Sequence, residues 1–209
     1  MNDITLSEKQ LLGWNDNSRF LGFFSGIQGG KTTFGVVWML REIIRKGAGE
    51  YIVITPTYKM LKQSTLIKFQ DMVPKGYGVL NKSDSTFTTG DGVTIFFRSA
   101  DKPESIEGIT AQAIWADEAS LMKAYIWIMM QGRVSKTQGR VLLTGTPLSL
   151  NWVHKEIYQR WKKGDKDYGF VRFANVDAPW FPREEYERAR RTLSETQFKL
   201  RYKLSLIHI

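Results

Sequence analysis

The stretch Ser25-Gly26-Ile27-Gln28-Gly29-Gly30-Lys31-Thr32 has residue types and a spacing suited to holding phosphate. It fits the pattern G-x-x-x-x-G-K-[ST], with Ser25 standing at the first glycine. Three glycines let backbone N–H groups turn inward around phosphate oxygens. Lys31 is spaced to reach the β- and γ-phosphates and the Thr32 hydroxyl to ligate Mg²⁺, with the nucleotide-binding stretch running on to Thr33. An apolar strand (Phe20–Phe24) leads in and an apolar helix (Phe34, Val36–Leu40) leads out. The loop therefore caps a helix N-terminus, whose dipole favours an anion. Without those flanks the same letters would read as a Gly-rich turn. With them, the expected ligands are ATP and Mg²⁺.

A second group of residues fits that chemistry. Ala111–Ala116 reads as a buried strand ending in Asp117-Glu118. A carboxylate at such a tip can hold the magnesium shell, and its neighbour can orient and deprotonate an attacking water. Asp117 is thus expected to serve the metal and Glu118 to act as general base; the plainer alternative is an Asp-Glu pair capping the next helix. Arg140–Thr144 runs into Gly145-Thr146-Pro147, a third strand tip whose hydroxyls, Thr144 and Thr146, could sense a γ-phosphate. Tyr51–Thr55 fits as an additional strand between the two motif strands. That pattern points to P-loop ATPases with a catalytic glutamate and away from small GTPases.

These residues need a scaffold, and the sequence outlines one. Short apolar runs at Arg19–Ser25, Tyr51–Thr55, Ala111–Asp117 and Arg140–Thr144 look buried on both faces. Helical stretches at Thr32–Lys46, Thr57–Met72 and Leu121–Ser135 separate them. Alternating strand and helix predicts an α/β fold with a mostly parallel sheet flanked by helices. Phe87–Thr89 and Val93–Arg98 flank Gly90-Asp91-Gly92 as a hairpin. Beyond Pro147 come a helix at Trp152–Lys163, a strand near Phe170–Phe173 and a small helical appendage at Pro182–Lys203. Pro182 suits its start, and Ser194 with Gln197 forms a capping signature that splits it.

Composition bounds the partners. The 209 residues suffice for one α/β domain, and the absence of cysteine removes disulfides, thiolate metal sites and cysteine nucleophiles. Two histidines leave little for a histidine metal site. No run of apolar residues is long enough to span a membrane, and the first residues lack a signal-peptide pattern. A net charge of +9 favours a polyanionic partner such as nucleic acid. Arg183, Arg188, Arg190 and Arg191, with Lys155, Arg160, Lys162 and Lys163, could meet DNA phosphates or simply form solvated helix faces. Trp115, Trp127, Trp152 and Trp161 are expected in the core. Leu204–Ile209 matches one reading frame of a widely used transposase sequencing adapter. It is expected to be foreign, with the natural chain continuing past Lys203, so these residues (His208 included) carry no weight in the fold.

Gln10, Ser25–Thr33, Tyr51–Tyr58, Ser99–Gly108, Ile114–Ala119 and Leu142–Pro147 together resemble the large terminase subunit of tailed bacteriophages, over roughly Leu6 to Lys203. That resemblance implies an N-terminal ATPase that pumps double-stranded DNA into a procapsid, with a nuclease domain that lies outside this sequence. Residues 1–174 would be the ATPase core and residues 175–203, from Asn175-Val176-Asp177-Ala178-Pro179 onward, a helical linker or lid. The nucleotide contacts carried over are Gln10 to adenine, Ser25, Gly26, Gln28, Gly29, Gly30, Lys31, Thr32 and Thr33 around the phosphates, and Thr144–Thr146 as a coupling motif. A portal protein, a small terminase subunit and a homo-oligomeric ring are implied as partners. The setting would be the cytoplasm of the infected host, at the procapsid portal. Two departures stand out: Ile27 and Glu107 occupy places where the family often has arginine. Arg98 and Arg133 are then the remaining candidates for an arginine finger. A superfamily 2 helicase or translocase shares these motifs but needs a second RecA-like domain, for which the length does not suffice. A nucleotide-dependent binding module without turnover would have no use for Glu118.

Overall fold

The computed structural model describes residues 4–146 and 151–203, so Pro147 and the adapter-like Leu204–Ile209 lie outside the described residues. Among them, eight strands form one sheet: β1 (Phe20–Ser25), β2 (Gly49–Thr55), β3 (Val79–Asn81), β4 (Thr86–Thr88), β5 (Val93–Ser99), β6 (Ala111–Ala116), β7 (Arg140–Gly145) and β8 (Tyr168–Phe173). Their order across the sheet is β3-β4-β5-β2-β6-β7-β1-β8. From β5 to β8 every neighbouring pair is parallel. Only the β3-β4-β5 edge is antiparallel, and it contains the expected hairpin.

The central strands are mostly apolar because helices cover both faces of a parallel sheet. Along β1 and β7 every residue is buried. On one face α2 (Lys31–Lys46) packs Phe34, Trp38 and Met39 against Phe23, Tyr51 and Trp115. Gly35 permits the close approach, since a Cβ there would enter the Trp115 indole. On the other face α5 (Tyr125–Val134) sets Ile126, Trp127 and Met130 against Ile54, Ile114 and Leu143. At the far end of the sheet from the phosphate loop, Arg140 and Glu42 form a buried ion pair of 2.6 Å. The same guanidinium donates to the carbonyls of Ser18 (2.9 Å) and Asp16 (2.8 Å), tying β7 to α2 and to the start of β1.

The strand lying between β1 and β6 is β7, not β2, which sits beyond β6. The helix expected over Thr57–Met72 is three pieces: α3 (Tyr58–Met60), a π-turn at Leu61–Thr65 and α4 (Leu66–Met72). The helix expected from Trp152 likewise contains a π-turn, His154–Tyr158, before α6 (Gln159–Lys162). β3 was not anticipated, having three residues and no buried face. Trp161 is 40% exposed rather than core, while Trp115, Trp127 and Trp152 are buried. An N-terminal helix, α1 (Glu8–Asn15), is closed by a capping box between Ser7 and Gln10. The C-terminal segment holds α7 (Arg183–Thr192), preceded by Pro182, and α8 (Glu195–Phe198), which Ser194 caps by accepting from the Gln197 N–H. No helix among the described residues is long and apolar enough to cross a membrane.

Candidate functional site

Parallel register carries the three strand tips to one edge of the sheet. Phe24 of β1 pairs with Gly145 of β7, and Ala116 of β6 pairs with Leu143 of β7. Ser25, Asp117 and Thr144–Thr146 therefore emerge side by side. Here the chain leaves β1, turns through the glycine-rich loop and enters α2. Gly30 makes the last step with φ of 79°, a left-handed conformation that only glycine adopts at low cost. Gln28 shares that region with φ of 59°, as does Glu118 with φ of 55°. Non-glycine residues held there store strain that the surrounding structure must support. Both line the same cavity.

That cavity has a volume of about 860 Å³. Its floor is the loop from Ile27 to Thr33; Glu118 and Thr146 come from the strand tips, Gln10 from α1 and Trp180 from the C-terminal segment. The remaining wall is the π-turn and α4, through Ser64, Ile67, Lys68 and Asp71. Lys31 is buried, and its Nζ donates to the carbonyls of Gly26 (2.8 Å) and Ser25 (3.2 Å). Burial lowers its pKa, while the Glu118 and Asp117 carboxylates oppose that shift. The lysine is thus held on two loop carbonyls at the cavity floor. Ser25 fills the first-glycine position with a buried side chain that donates to the Gly26 carbonyl at 3.1 Å.

Asp117 lies beneath the cavity, buried, with a donor on each oxygen. Thr144 Oγ1 donates to Oδ1 at 2.8 Å and Thr65 Oγ1 to Oδ2 at 2.7 Å. Burial pushes its pKa up, and the two threonine hydroxyls, Lys31 and Thr32 pull it down. Thr144 itself accepts from the Trp115 indole N–H at 2.9 Å, so the indole, the hydroxyl and the carboxylate form a chain. Glu118 is also pushed up by burial, with Lys31 opposing and Asp117 adding to the rise. Its Oε2 accepts from the Thr146 N–H at 3.4 Å. Gln10 is buried: its Nε2 donates to the Gly30 carbonyl at 3.2 Å and its Oε1 accepts from the Ser7 N–H at 3.0 Å.

The two candidate finger arginines are placed elsewhere. Arg98 donates to the backbone carbonyls of Asp84, Ser85, Phe97 and Ser105, beside a separate pocket of about 290 Å³. Arg133 lies on α5, and its buried Nε has no partner. Neither lines the large cavity. Three contributors escaped the sequence reading. Thr65 is aimed by a π-turn, which hydrophobic periodicity does not encode. Asn175 donates from Nδ2 to the Ile27 carbonyl at 2.5 Å, and Trp180 donates from Nε1 to the Gln28 carbonyl at 3.0 Å. Such contacts across the chain leave no local signature.

A parallel sheet with a glycine-rich loop between strand and helix, and paired acids on another strand tip, defines the P-loop nucleotide-binding class. A family model described as "Terminase large subunit, T4likevirus-type, N-terminal" matches residues 23–202, and the chain belongs to that family. Among curated proteins, the terminase large subunit of Thermus phage G20c is 30% identical over 71 residues, which are 34% of this chain and 15% of that one. The fold matches the large terminase ATPase domain of Thermus phage P74-26 with a TM-score of 0.79 and 19% identity, over 97% of this chain and 94% of that one. It also matches the large terminase of another thermophilic bacteriophage, solved in complex with ADP, with a TM-score of 0.83 and 18% identity. There the match covers 97% of this chain and 54% of the ADP-bound one, so this sequence spans about half of that protein.

Proposed function

We propose that this chain hydrolyses ATP to drive double-stranded viral DNA into a procapsid. The observation that carries the reading is the meeting of Lys31, Glu118 and Thr146 on one cavity, with Asp117 directly beneath, in a chain of the terminase large-subunit family. The glycine loop would hold the phosphates through its N–H groups and the N-terminal dipole of α2. Lys31 would leave the Ser25 and Gly26 carbonyls for the β- and γ-phosphates. Gln10, fixed against Gly30, would meet the adenine.

Thr32 and Asp117 offer a hydroxyl and a carboxylate, hard oxygen donors that suit Mg²⁺. No three His, Cys, Asp or Glu side chains gather into a cage among the described residues. Such a donor set fits an ion that keeps waters and substrate phosphates as its other ligands. Bound there, Mg²⁺ would neutralise charge on the phosphate oxygens. Glu118 would take the proton of the attacking water on a carboxylate oxygen. Its raised pKa makes it a stronger base than an exposed glutamate, with Lys31 opposing the rise. Thr146, bonded through its N–H to Glu118, would transmit the state of that carboxylate to β7.

An arginine would come from a neighbouring copy in a homo-oligomeric ring. Arg133 is the better donor, because Arg98 is committed to four carbonyls of its own chain. The portal protein and small terminase subunit complete the proposed assembly, in the host cytoplasm. Residues 1–174 would form the catalytic core and residues 175–203 the linker towards a nuclease domain.

Calorimetry and phosphate release test the site directly. Lys31→Ala should lose measurable ATP binding. Glu118→Gln should bind ATP with wild-type affinity and release phosphate at least about 100-fold more slowly. Wild-type turnover in both variants would reject the assignment.

A further inference from the structure

Trp180 is the one large aromatic side chain among the described residues of the cavity wall, and it is 48% exposed. Its indole touches the phosphate loop at two points. Nε1 donates to the Gln28 carbonyl at 3.0 Å, and the ring edge rests on Gly30, where an added Cβ would strike it. The Gln10 amide approaches the same glycine, within 3.0 Å of that Cβ position. Indole and amide thus converge on one point, just outside the last residue of the phosphate loop. Ile67 of α4, also exposed, adds apolar surface to the cavity. An exposed tryptophan bonded to the loop beside a polar amide offers a planar ligand a π-face and an edge contact together.

We infer that Trp180 is the stacking platform for the nucleobase, so the C-terminal segment supplies one wall of the nucleotide site. The inference rests on the nucleotide-site reading above and deepens it. On that reading the loop and Lys31 would contact only phosphates and stacking would accept any base, whereas an edge contact from Gln10 would discriminate among them. Stacking a base on an aromatic side chain is commonly worth about tenfold or more in affinity.

The alternative role for Trp180 is to brace the loop through Gln28. The two roles separate by ligand. ADP carries a base; inorganic tripolyphosphate offers the loop phosphates alone. Calorimetry would compare both ligands, with Mg²⁺, on the wild-type chain, Trp180→Ala and Trp180→Phe. Stacking predicts that Trp180→Ala loses roughly tenfold or more in ADP affinity while tripolyphosphate changes by less than about twofold. Trp180→Phe, which keeps a π-face but cannot donate to Gln28, should recover most of the ADP affinity. Circular dichroism checks that each variant is folded, and Trp180→Phe carries the test if Trp180→Ala is not. Equal losses for the two ligands in Trp180→Ala, or a Trp180→Phe chain that loses ADP affinity tenfold, would overturn stacking in favour of bracing. Unchanged ADP affinity in both variants would overturn any role for the indole. A wild-type chain that binds neither ligand would instead overturn the nucleotide-site reading itself.

Discussion

Replacing Thr144 by valine tests the link between the β7 tip and the buried acid. The side chain keeps its shape and loses one hydroxyl. That hydroxyl accepts from Trp115 Nε1 at 2.9 Å and donates to Asp117 Oδ1 at 2.8 Å. Neither partner has solvent to turn to: Trp115 is 0% exposed and Asp117 is 2% exposed. An indole N–H left unpaired in the interior costs about 1–3 kcal/mol, and a hydrogen bond to a charged group is worth about 1.5–3 kcal/mol. Asp117 still receives Thr65, so the damage is bounded. A net loss of roughly 3–5 kcal/mol is expected. Thr144→Ser keeps both hydrogen bonds and gives up one methyl, about 1 kcal/mol. Urea denaturation at pH 7.5, read by tryptophan fluorescence and circular dichroism, measures both variants. The acid limb of the phosphate-release profile should also move to higher pH in Thr144→Val, because one of the donors holding the Asp117 pKa down is gone. A valine variant within about 1 kcal/mol of wild type, or a serine variant as unstable as the valine one, would refute the chain of bonds.

Other consequences are equally open to measurement. The raised pKa of Glu118 has a sign: its stabilising contribution is full below its ordinary value of 4.5 and is lost as pH rises through the folded value. Glu118→Gln should therefore melt higher than wild type at pH 7.5 in the absence of nucleotide, with the gap closing towards pH 4.5; a gap that does not change with pH counts against the burial of that charge. Arg140→Met leaves the buried Glu42 carboxylate with Arg45 alone, at 3.4 Å, and with its other oxygen unpartnered, so it should cost about 3 kcal/mol by urea denaturation. Glu42→Gln should cost less, since Arg140 keeps two carbonyl acceptors; the reverse ranking would contradict the geometry. Gly26→Ala would drive a Cβ into Asn175 Oδ1 and the Arg201 carbonyl, so amide exchange across residues 175–203 should quicken; unchanged protection would show that the loop and segment do not lean on each other.

Much of this architecture is legible in the sequence because burial on both faces writes itself as unbroken apolar runs. β1, β6 and β7 read that way, and the loop and acid pair follow at their tips. What escaped has a different physical origin. β3 is short and lacks a buried face, so no alternation marks it. The π-turn that aims Thr65 depends on a shift in backbone hydrogen bonding that leaves the apolar spacing nearly intact. The strand between β1 and β6 is β7 rather than β2, and strand order is set by crossover packing that no single segment encodes. Asn175 and Trp180 act on the loop from the far end of the chain, where local pattern is silent. Trp161 looks like core by type yet lies against Tyr158 and Phe170 with 40% of its surface in solvent.

The clasp between Asn175, Trp180 and the phosphate loop also bears on the order in which the site is made. Synthesis delivers the loop early, followed by Thr65, the acid pair and the β7 tip. The carbonyls of Ile27 and Gln28 must wait for partners 148 and 152 residues further along. Closing so long a stretch of chain is a late event in folding, because the intervening residues lose their freedom before the contact returns anything. A nascent chain that has threaded only its core through the ribosome would present a phosphate loop with its outer carbonyls in water. Nucleotide held by the newborn chain would then lack the proposed indole wall until Trp180 has been made and has folded back onto the loop. Competence to grip a base would mark the completed segment and not the completed sheet.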